Sequence, residues 1–264
     1  MGSLNGRVAL VSGAGRGIGR GISEALAAEG AAVAVNYRRD REAADATVAA
    51  IEAAGGAARA YQASVEDADA DAAMVEQVRA HLGPVDLLVA NAGVASRGLP
   101  VADTDPDEVQ RLIATHAISA HHLARLVLPD MRKRPRGDIV MVSSVATATM
   151  AGYGAPYNMA KAALESLAFT LAKEERPHGI HVNVAAPGLV ETEMGRRLAR
   201  AVAGVTDLRQ IDEVMPFGRV CQPSDVADVV RFFCSGKASY LTGERLYVWG
   251  GGQDWRDASE AAKE

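Results

Sequence analysis

Tyr157-Asn158-Met159-Ala160-Lys161 sets a phenol and an ammonium four residues apart, one turn along the same face of a helix. A phenol with an ordinary pKa near 10 is a poor base at neutral pH, but an ammonium held beside it favours the phenolate. In the opposite direction the same hydroxyl hands a proton to a substrate oxygen. A pair this short arises by chance often enough that its meaning depends on its surroundings. Tyr153 has no lysine four residues on and is expected to be a bystander.

A second constellation is suited to binding. Ser12-Gly13-Ala14-Gly15-Arg16-Gly17-Ile18-Gly19 follows the apolar run Val8-Ala9-Leu10-Val11 and precedes a helix-competent segment from Arg20. Glycines here permit a tight turn, close approach of backbone to a pyrophosphate, and a helix N-terminus aimed at that anion. The common dinucleotide spacing G-x-G-x-x-G fails, since each frame puts Ile18, Arg20 or Ile22 at the last glycine. Gly13-x-x-x-Gly17-x-Gly19 fits instead. A glycine-rich turn without a ligand is the plain alternative.

These residues need a scaffold, and the chain offers one. Short β-branched or apolar runs alternate with longer Ala-rich stretches of helical period, the pattern of a parallel sheet covered by helices on both faces. Seven strands are predicted, near Arg7–Val11, Ala32–Asn36, Ala57–Tyr61, Asp86–Val89, Asp138–Val142, His181–Val184 and Arg245–Val248. The expectation is an α/β fold with one Rossmann-type, doubly wound, mainly parallel sheet, forming a single domain over residues 1–264. Residues 189–216 form a long, weakly periodic connection of the kind that serves as a substrate loop. The polar tail 254–264 is expected to fray.

The spacing T-G-x-x-x-G-x-G, with Ser12 for Thr, resembles the cofactor fingerprint of the short-chain dehydrogenase/reductase family, and the likeness runs from about Arg7 to Gly252, including 3-oxoacyl-carrier-protein reductases. The resemblance implies a hydride transfer between a nicotinamide dinucleotide and a small carbonyl or alcohol. It implies catalytic roles for Ser144, thirteen residues before Tyr157, and for Tyr157 and Lys161, with Ser143 as the rival serine. It implies that Gly13, Gly15, Arg16, Gly17, Ile18 and Gly19 hold the pyrophosphate, that Asn91-Ala92-Gly93 ties sheet to cofactor, and that Pro187, Gly188, Val190 and Thr192 hold the nicotinamide end. The family's catalytic asparagine aligns with His116, carried as a relay position; as an isolated residue beside His121 and His122 it reads as packing or surface.

Independently of the family, Gly13–Gly19, Arg38, Ser64, Asn91–Gly93, Ser144 and Pro187–Thr192 each follow a different predicted strand. That is where open α/β sheets bind ligands.

The second strand ends Val35-Asn36-Tyr37-Arg38-Arg39, with Tyr37 where an NAD site keeps an acid. Arg38 and Arg16 reach that corner by resemblance, which favours NADP, with NAD as the alternative; Arg38 and Arg39 also suit a solvated helix start. Ser64-Val65 stands where the family commonly keeps an Asp for the adenine amino group, so an uncharged hydroxyl replaces a carboxylate.

The 264 residues carry 28 Lys and Arg against 33 Asp and Glu, too little positive charge for a nucleic-acid or anionic-membrane partner. Cys221 and Cys234, the two cysteines, suit neither a zinc site nor a disulfide framework, and no metal is expected. No signal peptide or spanning segment is visible, which points to the cytoplasm. Arg132-Lys133-Arg134-Pro135-Arg136 could dock an acidic carrier but reads first as a helix terminus in solvent. Arg196, Arg197 and Arg200 imply an anionic substrate only if they face the cleft. Leu164, Leu167, Ala168 and Leu171 clothe more than one helix face, consistent with a homotetramer or homodimer. The function read from all this is an NADPH-dependent ketone or 3-oxoacyl reductase; an NAD-dependent alcohol dehydrogenase and a non-catalytic nucleotide sensor are the alternatives.

Overall fold

The computed structural model describes residues 3–252, so the tail 254–264 lies outside the described residues. Its strands are β1 (Val8–Val11), β2 (Ala32–Tyr37), β3 (Ala57–Gln62), β4 (Leu87–Ala90), β5 (Gly137–Val142), β6 (Ile180–Pro187) and β7 (Arg245–Val248). They form one sheet in the order β3-β2-β1-β4-β5-β6-β7, parallel throughout. The strand order reverses between β1 and β4, and the crevice outside the carboxyl ends there is the natural ligand site of such a sheet. β1, β4 and β5 are buried along their whole length, which is why their sequences run apolar without alternation.

Helices α1 (Gly17–Ala28), α2 (Arg41–Ala53), α3 (Ala68–His81), α4 (Pro106–Ile113), α5 (Ser119–Met131), α6 (Ala146–Thr149), α7 (Ala155–Glu175), α8 (Glu193–Ala203) and α9 (Pro223–Cys234) complete the fold. One apolar cluster packs residues of α3, α5 and α7 on the sheet, and a second packs residues of α1, α2 and α9 on the opposite face. Between α4 and α5 the helix passes through a π turn at Ala114–Ile118, a widening that occurs most often at functional sites. The 189–216 connection is more ordered than its weak periodicity suggests, because it contains α8, capped by the Thr192 hydroxyl accepting from Gly195 N at 3.0 Å. Its Arg197 and Arg196 pair with Glu193 and Glu191.

The base of the sheet is clamped by charge. Arg7 bonds Asp86 at 3.1 Å and Asp138 at 2.7 Å, joining the starts of β1, β4 and β5. Arg134 pairs with Asp86, Arg136 with Asp138, Arg132 with Glu175 and Lys133 with Asp130. The basic stretch 132–136 therefore works at the amino end of the strands, remote from the crevice, and its charges are matched within the chain. Among the described residues no helix is long and apolar enough to cross a membrane.

Asp71 on α3 is fully buried, and neither carboxylate oxygen has a hydrogen-bond partner. Burial, reinforced by the nearby Asp67 charge, pushes its carboxyl up to about 7. Below pH ~4 both folded and unfolded chains hold this proton, so nothing is lost. Between there and about 7 the unfolded chain ionises first and stability falls, by at most ~4 kcal/mol in all. Asp71→Asn should accordingly raise the melting temperature at pH 8 and gain far less at pH 5. Thermal melts of both proteins at the two pH values check this, and a pH-independent difference would remove the linkage.

Candidate active site

The glycine loop fits a pyrophosphate on its own geometry. Helix α1 starts at Gly17 without a side-chain cap from Arg16 and without an acidic residue in its first turn, so its leading N–H groups and positive dipole end are left for an anion. Gly13 and Gly17 sit at φ +62° and +54°, a region L side chains rarely adopt. The loop is held from three sides. Gly13 N donates to Asn36 Oδ1 at 3.1 Å, Thr47 Oγ1 donates to Gly15 O at 3.0 Å, and Asn91 Nδ2 donates to Ser12 O and Gly13 O at 2.9 and 3.1 Å. Ser12 Oγ accepts from Asn91 N and Ala92 N, both at 3.0 Å, tying the loop to the chain after β4.

From this loop side-chain and backbone contacts run in a ring. Ala92 and Asn91 flank Gly13, and Gly93 lies against the His116 imidazole, with room for no side chain. The His116 ring meets Tyr157 edge-on at 5.4 Å between centroids. Lys161 Nζ lies 5.7 Å from the centre of the Tyr157 ring, and the Ser144 side chain acts on the phenol, lowering its proton affinity. Val145 N, next to Ser144, donates to Pro187 O at 3.0 Å. Thr192 packs over Gly17 and closes the circle.

The two serines are sorted by one residue. Ser143 is buried and donates to Glu165 Oε1 at 2.7 Å, whereas Ser144 is only half-buried and turned toward Tyr157. Glu165 also accepts from Thr147 Oγ1 at 2.8 Å and pairs with Arg245 at 2.6 Å. It thus anchors the strand end that carries Ser144. The only signal in sequence was a carboxylate one turn beyond Lys161 on the same helix.

The electrostatics differ from the simple expectation of an ammonium lowering the phenol. Burial raises the Tyr157 phenol above its ordinary value, and the Ser144 side chain offsets only part of this. Lys161 is itself buried, donates to Val142 O at 2.7 Å, and is brought down to about 7 by desolvation, with Glu165 opposing. The protein groups alone therefore favour a neutral phenol, a proton donor. Burial, then the neighbouring Lys161, takes His116 down to about 3, so its imidazole is neutral. His116 Nε2 lies 2.9 Å from Val94 O and 3.2 Å from Val94 N; either tautomer satisfies one of these, while Nδ1 is buried without a partner. The π turn at Ala114–Ile118 carries this ring to the edge of Tyr157.

Past the carboxyl ends of β2 and β3 the side chains are less uniform. Tyr37 does not present its ring to the crevice. β2 alternates, so Tyr37 shares a face with Val33 and Val35 and is buried in the cluster with Ala44 and Ile51, leaving Arg38 as the side chain at that corner. Arg38 lies 3.7 Å from Glu66, and Arg16 reaches Glu193 at 2.6 Å. Ser64 is half-buried, Val65 is buried in the core, and Ile18 packs on the other face. Gly188 N donates to Val248 O, and Val190 pairs with Cys221, fixing the far wall.

Known proteins resemble this arrangement over nearly the whole chain. A family model described as Enoyl-(Acyl carrier protein) reductase matches residues 13–253. The 3-oxoacyl-[acyl-carrier-protein] reductase FabG of Escherichia coli is 37% identical over 250 residues, 94% of this chain and 98% of the relative. Among solved structures, the angucycline C-6 ketoreductase LanV with bound NADP superposes with a TM-score of 0.85 at 33% identity, covering 94% of this chain and 96% of that one. A 7α-hydroxysteroid dehydrogenase complexed with NADH and 7-oxo glycochenodeoxycholic acid gives 0.85 at 32% identity, covering 95% and 96%.

Proposed function

Because this chain belongs to the short-chain dehydrogenase/reductase family, whose members are NAD(P)-dependent oxidoreductases of carbonyls and alcohols, we propose that it acts with NADPH on a ketone or 3-oxoacyl substrate. The observation that carries this is the single ring of contacts joining the phosphate loop, Asn91, Gly93, His116, Tyr157, Lys161 and Ser144. When bound, the reduced nicotinamide supplies the hydride to the carbonyl carbon. Tyr157 Oη gives its proton to the carbonyl oxygen, Ser144 Oγ orients that oxygen, and Lys161 carries the compensating charge beside the phenol. Gly13, Gly15, Gly17, Ile18 and Gly19 would seat the pyrophosphate through backbone. Val190 and Thr192 would position the nicotinamide end, and Ser64 the adenine. Neutral His116 packs against Tyr157 and contributes shape rather than charge.

The preference for NADPH rests on Arg38, since a charge-assisted bond to a phosphate contributes about 1.5–3 kcal/mol before discounting for exposure. NAD use as an alcohol dehydrogenase is the second reading, favoured by the pairing of Arg38 with Glu66. The chain is further proposed to be a cytoplasmic homotetramer or homodimer, through the partly exposed Leu167 and Phe169 of α7. Following reduced-dinucleotide absorbance over a panel of ketones and alcohols tests the assignment. NADPH should support turnover of ketones better than NADH, and Arg38→Ala should shrink that ratio by about tenfold or more. A ratio that does not move refutes the NADPH preference; no turnover on any carbonyl or alcohol refutes the catalytic reading.

A further inference from the structure

Arg38, the cation at the adenosine corner, already has a carboxylate for company. Its guanidinium lies 3.7 Å from Glu66 Oε1, two residues beyond Ser64. Arg38 is held at its backbone as well, where Gln62 Nε2 donates to Arg38 O at 3.1 Å. Glu66 lies at the surface with its side chain 31% accessible, and the same Oε1 is within hydrogen-bond reach of the Thr115 hydroxyl. Thr115 is itself 3% exposed and sits in the π turn beside His116. Glu66 is thereby tied to a buried hydroxyl, whereas Glu193 beside Arg16 pairs with the exposed Arg16 and Arg197.

We propose that Glu66 is a specificity-determining residue of the dinucleotide site, holding Arg38 in an internal ion pair and so limiting the preference for NADP over NAD. This rests on the reading of Arg38 as the phosphate-facing cation. A 2′-phosphate entering this corner must share Arg38 with Glu66 and sit near its negative charge, whereas a dinucleotide without that phosphate leaves the pair intact. The interaction is partly solvated, so the effect is modest and sensitive to salt.

Glu66→Gln keeps an oxygen for the Thr115 hydroxyl while removing the charge, so the local structure is retained. Calorimetric binding of two unreactive fragments, adenosine 2′,5′-bisphosphate and adenosine 5′-monophosphate, reads the effect without catalysis. The variant should bind the bisphosphate about three- to tenfold more tightly and leave the monophosphate within about twofold. The gain should shrink at high salt, and vanish when Arg38→Ala is combined with Glu66→Gln. Equal tightening of both fragments, or no tightening while Arg38→Ala alone still weakens the bisphosphate, overturns the role of Glu66 and leaves the NADP reading standing. If Arg38→Ala alters neither fragment, the reading of Arg38 falls and the proposal falls with it.

Discussion

Tyr157→Phe is expected to lower the rate of carbonyl reduction by about a thousandfold, while the dissociation constant of either dinucleotide stays within about threefold of the parent. Positioned acid catalysis contributes typically 10²–10⁴-fold, and the hydroxyl is the only group removed. The aromatic ring keeps its edge contact with His116 and its place under Lys161, so the variant should fold and bind as the parent does. The pH dependence carries a second signature of the same site. Lys161 in the free protein is lowered to about 7, so its positive charge is present below that pH and lost as pH rises through it. kcat/KM for the reduced dinucleotide, which reports the free enzyme, should therefore decline above about pH 7. Single-turnover absorbance and calorimetric binding separate chemistry from affinity; a Phe variant retaining more than about a tenth of parent activity would rule Tyr157 out as the acid.

What was legible in the sequence is what local pattern encodes. The strands β1 and β4 announced themselves as Val8-Ala9-Leu10-Val11 and Leu87-Leu88-Val89, because a strand buried on both faces cannot alternate. The glycine spacing and the Tyr157–Lys161 turn are likewise properties of a few consecutive residues. Tyr37 is placed at the dinucleotide corner by its position at the end of β2, and the structure buries its ring with Val33 and Val35 instead. Long-range partners were not readable. Glu165 reaches Arg245 across 80 positions, and Thr115 reaches Glu66 across 49; no periodicity specifies such pairs, yet they orient Ser144 and Arg38. The basic run 132–136 reads as a helix terminus from its sequence, but its carboxylate partners Asp86, Asp138 and Glu175 are brought to it only by the folded sheet. The pKa directions at Tyr157 and Lys161 belong to this class as well. Spacing shows that two groups are adjacent, but burial decides which of them carries charge.

Gly19→Ala should remove dinucleotide binding while sparing the catalytic side chains. A Cβ at this buried glycine would lie 2.2 Å from Gly13 O and 2.6 Å from Asn91 Nδ2, well inside contact distance. Gly13 O is the acceptor for that same Asn91 amide at 3.1 Å, so the methyl must drive the phosphate loop off the asparagine that pins it to β4. Overpacking of this kind costs roughly 1–3 kcal/mol or more, and the displaced backbone is the surface that would meet the pyrophosphate. A loss of about a hundredfold or more in affinity is expected, equivalent to ~2.7 kcal/mol, with a lower melting temperature. Gly236→Ala is the matched control, because a Cβ there meets nothing within 4 Å. Binding titrations and melts of the two alanine variants decide the matter, and near-parent affinity in Gly19→Ala would sink the assignment of this loop. Set against Tyr157→Phe, the result also divides the ring of contacts into its two physical duties, because one substitution should abolish binding with the phenol intact and the other should abolish turnover with the cofactor still held.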